Sequence, residues 1–194
     1  TCLDLAFDLI SCGFDKEAEK LLRGVESCTD DVAPIIKYFL GEKAIQPDKH
    51  RTFPFRFEEI AVLEKAGDEY SKYLLGCLHY AARRYDKAAQ LWKQCSGWEA
   101  LRNMAVYSWR IGDREGAFKY LNKAYEQNPK SEQIIFEIAY LMNKTGTDPL
   151  VTLKKIESMA GSFLDARDDI CTEWATAYNR AGMYEDALGI LTGR

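Results

Sequence analysis

The scarce reactive side chains are the first place to look for chemistry. This chain of 194 residues has two histidines and six cysteines. Cys2, Cys12, Cys28, Cys77, Cys95 and Cys171 are dispersed, with no CxxC pair. Zinc-ribbon spacing is therefore excluded, and a disulfide framework is not expected at this length. A nucleophilic cysteine needs an activating neighbour. Cys77 lies two residues from His79, and an i,i+2 pair on a helix does not face itself. The thiols are expected to be reduced, mostly buried and structural. His79 is expected on the buried side of a helix, packed and hydrogen-bonded, and His50 has no identifiable partner. The acidic doublets Glu58 and Glu59, Asp168 and Asp169, and Glu185 and Asp186 point in different directions on a helix, so none is a catalytic dyad by spacing. They suit first turns, where carboxylates complement the helix dipole. No GxSxG, P-loop or GxGxxG motif is present. The expectation is a protein without catalytic residues, metal or cofactor.

Charge narrows the partners. The chain carries 26 basic and 30 acidic side chains, a formal net charge of -4. A nucleic-acid-binding domain ordinarily has a basic surplus, which is missing. No run approaches eighteen apolar residues, so no membrane span is expected. The doublets Arg83 and Arg84, and Lys154 and Lys155, read as solvated helix faces. A cytoplasmic setting is expected.

The elements that would position any site recur at a fixed spacing. Gly13, Gly112 and Gly182 are each followed five residues later by alanine (Ala18, Ala117, Ala187) and four later again by leucine (Leu22, Leu121, Leu191). Arg83, Ala88 and Trp92 fit the same frame without the glycine. Seven residues before the turn a small residue recurs, as Ala6, Gly76, Ala105, Ala139 and Ala175. Gly146 opens a further copy. The pattern describes two helices joined by a tight turn, the small residues letting the two backbones approach and the glycine ending the first helix. Asp15, Asp86 and Asp113 stand at or near the start of second helices. Asp148 before Pro149 is the strongest start signal. Twelve helices are expected, over about 1–11, 15–27, 32–43, 56–66, 69–82, 85–95, 98–111, 114–127, 132–145, 149–160, 166–181 and 184–193, with no sheet.

These residues resemble the tetratricopeptide repeat (TPR) family. The copy from Trp98 to Ser131 has the family's 34-residue period and carries Asn103, Met104, Ala105, Gly112, Asp113, Ala117, Leu121, Ala124 and Pro129 at signature offsets. Other copies lie near 1–31, 69–97, 132–161 and 168–194, with an irregular stretch over 32–68. The resemblance implies a single all-α, right-handed solenoid of stacked antiparallel helix pairs, its concave face lined by the first helix of each pair. More specifically, FPFRFEEIAVLEKA, YLLGCLHYAARRYDKAAQLW, LRNMAVYSWRIGDREGAF and the closing ARDDI…YNRAG…YEDAL resemble the C-terminal, TPR-like half of large bacterial proteins with an N-terminal β-rich domain of unknown function. On that resemblance the chain is a fragment of a longer protein.

The resemblance also implies a site. In the family the second, fifth, ninth, twelfth and thirteenth positions of each repeat tend to face the groove. Carried onto this chain they give an aromatic strip, Tyr73, Tyr80, Trp109, Phe136 and Tyr140. Beside it runs a cationic and amide line, Arg102, Arg110, Asn143, Lys144, Asn179 and Arg180. Such a surface suits an extended peptide with aromatic or acidic side chains, although several of the aromatics would also serve as packing between repeats. The lysine-asparagine-asparagine-lysine-arginine set that grips chaperone tails is not assembled, since Tyr73, Cys77, Arg102 and Val106 stand at the fifth and ninth positions. The implied function is a non-catalytic scaffold binding a polypeptide or a partner domain, which could belong to the same chain. The alternative is an accessory repeat domain of a larger carbohydrate-metabolism protein that positions a catalytic or glycan-binding domain elsewhere.

Two features fall outside the repeat pattern. Residues 42–57 hold Pro47, Pro54, His50 and Arg51, with Phe53, Phe55 and Phe57 alternating. One reading, favoured by composition, is a connector whose phenylalanines plug the core; the other is a recognition loop against the groove. The last helix shows Leu188, Ile190 and Leu191 where a terminal repeat needs a polar cap. That end is expected to pack on further sequence or to mediate self-association.

Overall fold

The computed structural model describes residues 1–25, 29, 32–45, 52–161 and 166–193. His50, Cys28, Pro47 and Arg51 lie outside the described residues. Twelve α-helices and no strand occur among those described. The chain divides into two compact units, Thr1–Cys95 and Ser96–Arg194.

The first unit holds α1 (Cys2–Ser11), α2 (Asp15–Arg23), α3 (Ala33–Phe39), α4 (Glu58–Ala66), α5 (Glu69–Ala81) and α6 (Tyr85–Trp92). The second holds α7 (Trp98–Arg110), α8 (Arg114–Gln127), α9 (Glu132–Lys144), α10 (Pro149–Ala160), α11 (Asp168–Arg180) and α12 (Tyr184–Thr192). Consecutive helices α1 and α2, α5 and α6, α7 and α8, α9 and α10, and α11 and α12 pack as pairs. In the second unit α9 also packs on α8 and α11, and α11 on α10, so each pair covers a face its neighbour cannot bury alone.

Local chemistry starts and stops these helices. The Asp113 carboxylate accepts the Gly116 N–H at 2.9 Å. Asp148 accepts those of Leu150 and Val151 at 2.9 and 3.1 Å, with Pro149 preset for the first helical position. The small positions Ala6, Gly76, Ala105, Ala139 and Ala175 are all buried. Gly76 is the tightest: a Cβ there would come within 2.4 Å of the Trp92 indole nitrogen. A bulky tryptophan at the position leucine holds elsewhere is thus matched by a missing side chain on the facing helix. In the pair α9 and α10 one extra residue, Thr147, precedes the cap. Thr152 and Ile156 therefore fall inward, as Ala117 and Leu121 do in α8. The exposed Val151 stands outside the alanine frame.

The structure departs from the sequence expectations at four places. First, α2, α3 and α6 end at Arg23, Phe39 and Trp92, short of residues 27, 43 and 95. Gly24 caps α2, and the turn at Leu40 and Gly41, with Gly41 at φ 75°, stops α3. Second, the phenylalanines of the irregular stretch do not plug the core. Phe53, Phe55 and Phe57 are 69%, 76% and 63% exposed, while Thr52 and Pro54 are buried. The cause is Glu59, buried on α4, whose carboxylate accepts the N–H groups of Phe55 and Arg56 at 2.7 and 2.8 Å. That clamp turns the other side of the segment inward, where Arg56 reaches Asp4 at 2.9 Å and Asp8 at 3.4 Å. Third, His79 is fully buried as expected, but neither ring nitrogen has a hydrogen-bond partner. Burial is the main cause holding its pKa below the usual value, reinforced by Lys87 and Arg84 and opposed by Glu64. Fourth, of the apolar residues at the end of α12, Ile190 is buried and only Leu188 and Leu191 are exposed.

Candidate functional site

Val106 and Trp109 share one stripe of α7, and Phe136 and Tyr140 share one stripe of α9. The two first helices leave a cleft between these stripes, with the small Ala105 at its wall. It is lined by Ala105, Val106, Trp109, Leu121, Phe136, Glu137, Tyr140 and Leu141, with a volume of about 240 Å³. The Phe136 and Tyr140 rings lie 5.9 Å apart, and the Lys144 ammonium sits 5.3 Å from the Tyr140 ring centroid. Three aromatics of the expected strip and one of its cations therefore meet at one place in the second unit.

The remaining cationic and amide residues are largely engaged with neighbouring helices. Arg102 donates from Nε to the Glu137 carboxylate oxygens at 2.8 and 2.9 Å and from Nη2 to Oε1 at 2.5 Å, a two-pronged tie from α7 to α9. Burial pushes the Glu137 carboxyl above its usual range, against the pull of the Arg102 guanidinium. The Asn143 amide donates to the backbone oxygen and carboxylate of Glu173, both at 2.8 Å. Arg180 donates to Asn143 Oδ1 at 3.0 Å and to the Thr147 carbonyl at 2.7 Å. Arg102, Asn143 and Arg180 thus lace successive first helices together. Arg110, Lys144 and Asn179 are exposed at the C-terminal ends of their helices.

Tyr73 and Tyr80 belong to the first unit and pack within it. Tyr73 stacks on Tyr70 at 6.4 Å, and its carbonyl accepts the Trp92 indole N–H at 3.2 Å. Tyr80 meets Tyr85 at 5.0 Å and Trp92 at 5.5 Å. Sequence reasoning missed Glu137. The signal that could have found it is an opposite charge close to one repeat period from Arg102.

Among the described residues no group of three or more His, Cys, Asp or Glu is placed to hold a metal ion, and no helix is long and apolar enough to cross a membrane. The thiols are not mostly buried as expected: of the cysteines described, only Cys171 is buried, Cys77 and Cys95 are partly so, and Cys2 and Cys12 are exposed on the short first helix and its turn. Burial is the first cause pushing the Cys95 thiol up to about 12, with Glu69 adding to it, so this thiol stays protonated at neutral pH.

No protein-family model matches the chain. Solved structures do. Two crystal structures of MamA align with a TM-score of 0.55 at 14% identity, covering 69% of this chain and 78% or 82% of theirs. YrrB, described as a TPR protein with an unusual peptide-binding site, aligns with a TM-score of 0.52 at 16% identity, covering 69% of this chain and 73% of its own. At such identities the likeness is one of fold. The chain is an all-α protein of stacked helix pairs with a TPR-like fold.

Proposed function

We propose that this chain is a non-catalytic scaffold that binds a polypeptide segment or partner domain, and that the cleft between α7 and α9 takes the partner's anchoring side chain. The observation that carries this reading is the convergence of Val106, Trp109, Phe136 and Tyr140 on one open apolar cleft. Its volume of about 240 Å³ is below the roughly 300–1,000 Å³ of small-molecule sites, which favours one large side chain over a cofactor. Aromatic rings around a desolvated pocket are the usual anchor points of protein interfaces. Lys144, exposed at the end of α9 and 5.3 Å from the Tyr140 ring centroid, favours an acidic residue beside the anchor.

The alternative, an accessory repeat domain of a larger carbohydrate-metabolism protein, is served by the same rings, which could stack on a sugar. Selection of a random dodecapeptide display library on the full chain separates the two. The scaffold reading expects enriched peptides to pair an aromatic or large aliphatic residue with Asp or Glu. Their affinity should fall at least tenfold in Trp109→Ala and in Val106→Glu, the second placing a charge in the cleft at a half-exposed position. No enrichment, combined with binding of oligosaccharides that Trp109→Ala abolishes, would favour the alternative.

A further inference from the structure

Two exposed apolar surfaces have no part in the cleft. One lies on α12. The register position filled by Leu22, Trp92 and Leu121 is buried in α2, α6 and α8, but in α12 it is Leu191, which is 57% exposed. Tyr184, Leu188 and Leu191 stand four and three residues apart, so they form one stripe about 10 Å long. Glu185 and Asp186 are in the first turn, and the helix has no basic residue. The other surface is in the first unit. Phe53, Phe55 and Phe57 alternate as exposed side chains along the segment that enters α4, where Phe57 already has helical backbone. The Arg84 guanidinium lies 5.7 Å from the Phe57 ring centroid, and Arg83 beside it is exposed. Contiguous apolar patches of this kind mark interaction surfaces.

We propose that α12 of one copy docks on the Phe53–Phe57 face of a second copy. Each surface offers three exposed large apolar side chains. The acids that flank one, Glu185 and Asp186, answer the arginines that flank the other, Arg83 and Arg84. The α12 stripe does not suit itself, because two copies of it would bring acids without cations, whereas the phenylalanine face carries Arg83 and Arg84 as well as the exposed Glu58. The contact is therefore heterologous: each copy keeps one unused surface of each kind, and association propagates head to tail unless it closes into a ring. Three side chains a side bury far less than the roughly 800 Å² per partner of a stable interface, so the association is weak and salt-sensitive.

Sedimentation velocity on the full chain, from micromolar to submillimolar concentration, tests this. The wild type should show sedimentation coefficients that rise with concentration and fall with added salt. The Leu188→Asp/Leu191→Asp and Phe55→Ser/Phe57→Ser double variants, all at exposed positions, should each stay monomeric with unchanged far-UV circular dichroism. An equimolar mixture of the two should form a 1:1 dimer and nothing larger, since each variant blocks one direction of growth. Arg84→Glu should weaken association, and pairing it with Glu185→Arg should restore it. A wild type monomeric at submillimolar concentration would overturn the proposal. So would a phenylalanine variant that still associates alone, or a mixture that stays monomeric.

Discussion

Arg83 holds φ at 60°, the left-handed conformation that Gly13, Gly112, Gly146 and Gly182 adopt between 75° and 82° at the corresponding turns. A side chain there costs about 1–2 kcal/mol, and a glycine loses part of that advantage through its freer unfolded state. Arg83→Gly should therefore stabilise the chain by roughly 0.5–1 kcal/mol, read as a higher urea midpoint at unchanged slope, and Gly112→Ala should destabilise it. The turn was legible without its glycine because Ala88 and Trp92 keep the spacing. His79 makes a second case. Its imidazole is neutral and without hydrogen-bond partners in the core of the first unit. Its folded pKa lies below the ordinary 6.5, so the unfolded chain takes up the proton first. Stability from this group is present in full above about 6.5 and is lost as the pH falls from there through the lowered folded value. Urea titrations from pH 7.5 to pH 5.5 should show that loss. His79→Leu should remove it and gain about 1 kcal/mol at neutral pH, because an unsatisfied buried polar group is replaced by an apolar one. Sequence placed His79 on the buried side of its helix, but no local pattern shows whether a ring nitrogen finds a partner.

Between elements, stability rests on ties that no single repeat displays. The Arg102 and Glu137 side chains are 24% and 17% exposed, and they join α7 to α9 at the edge of the cleft. Removing the arginine leaves a largely buried carboxylate alone, so Arg102→Ala should cost about 2–3 kcal/mol, less than for a fully buried pair. Glu137→Leu should cost less, and the double variant should recover most of the loss of Arg102→Ala. Chemical denaturation of all four proteins gives the coupling directly. Helix existence and order were readable, because turn glycines, small residues and caps repeat. The direction of the phenylalanine row was not. Period-two alternation says that two sides differ, while the side that turns inward is decided by Glu59 and by the pairing of Arg56 with Asp4 and Asp8, about fifty residues away.

For the molecule as a whole, repeat position placed Trp109, Phe136 and Tyr140 on first helices, and the structure gathers them at one cleft. The same arithmetic could not show that Arg102, Asn143 and Arg180 spend their hydrogen bonds on neighbouring helices, since their partners lie about one repeat away along the chain, forward for Arg102 and Asn143 and back for Arg180. The binding reading therefore narrows from a line of eleven residues to a compact aromatic site with Lys144 at its edge. The chain has four tryptophans. Trp92 and Trp174 are buried, so only a ligand in the cleft should reach the indole of Trp109 selectively. The most direct measurement is an ¹⁵N-resolved titration of the four indole N–H resonances, assigned by single Trp→Phe variants, with a library-selected peptide. The predicted result is a saturable shift of the Trp109 resonance, with Trp92 and Trp174 unmoved. A peptide that binds while the Trp109 resonance stays in place would contradict the account.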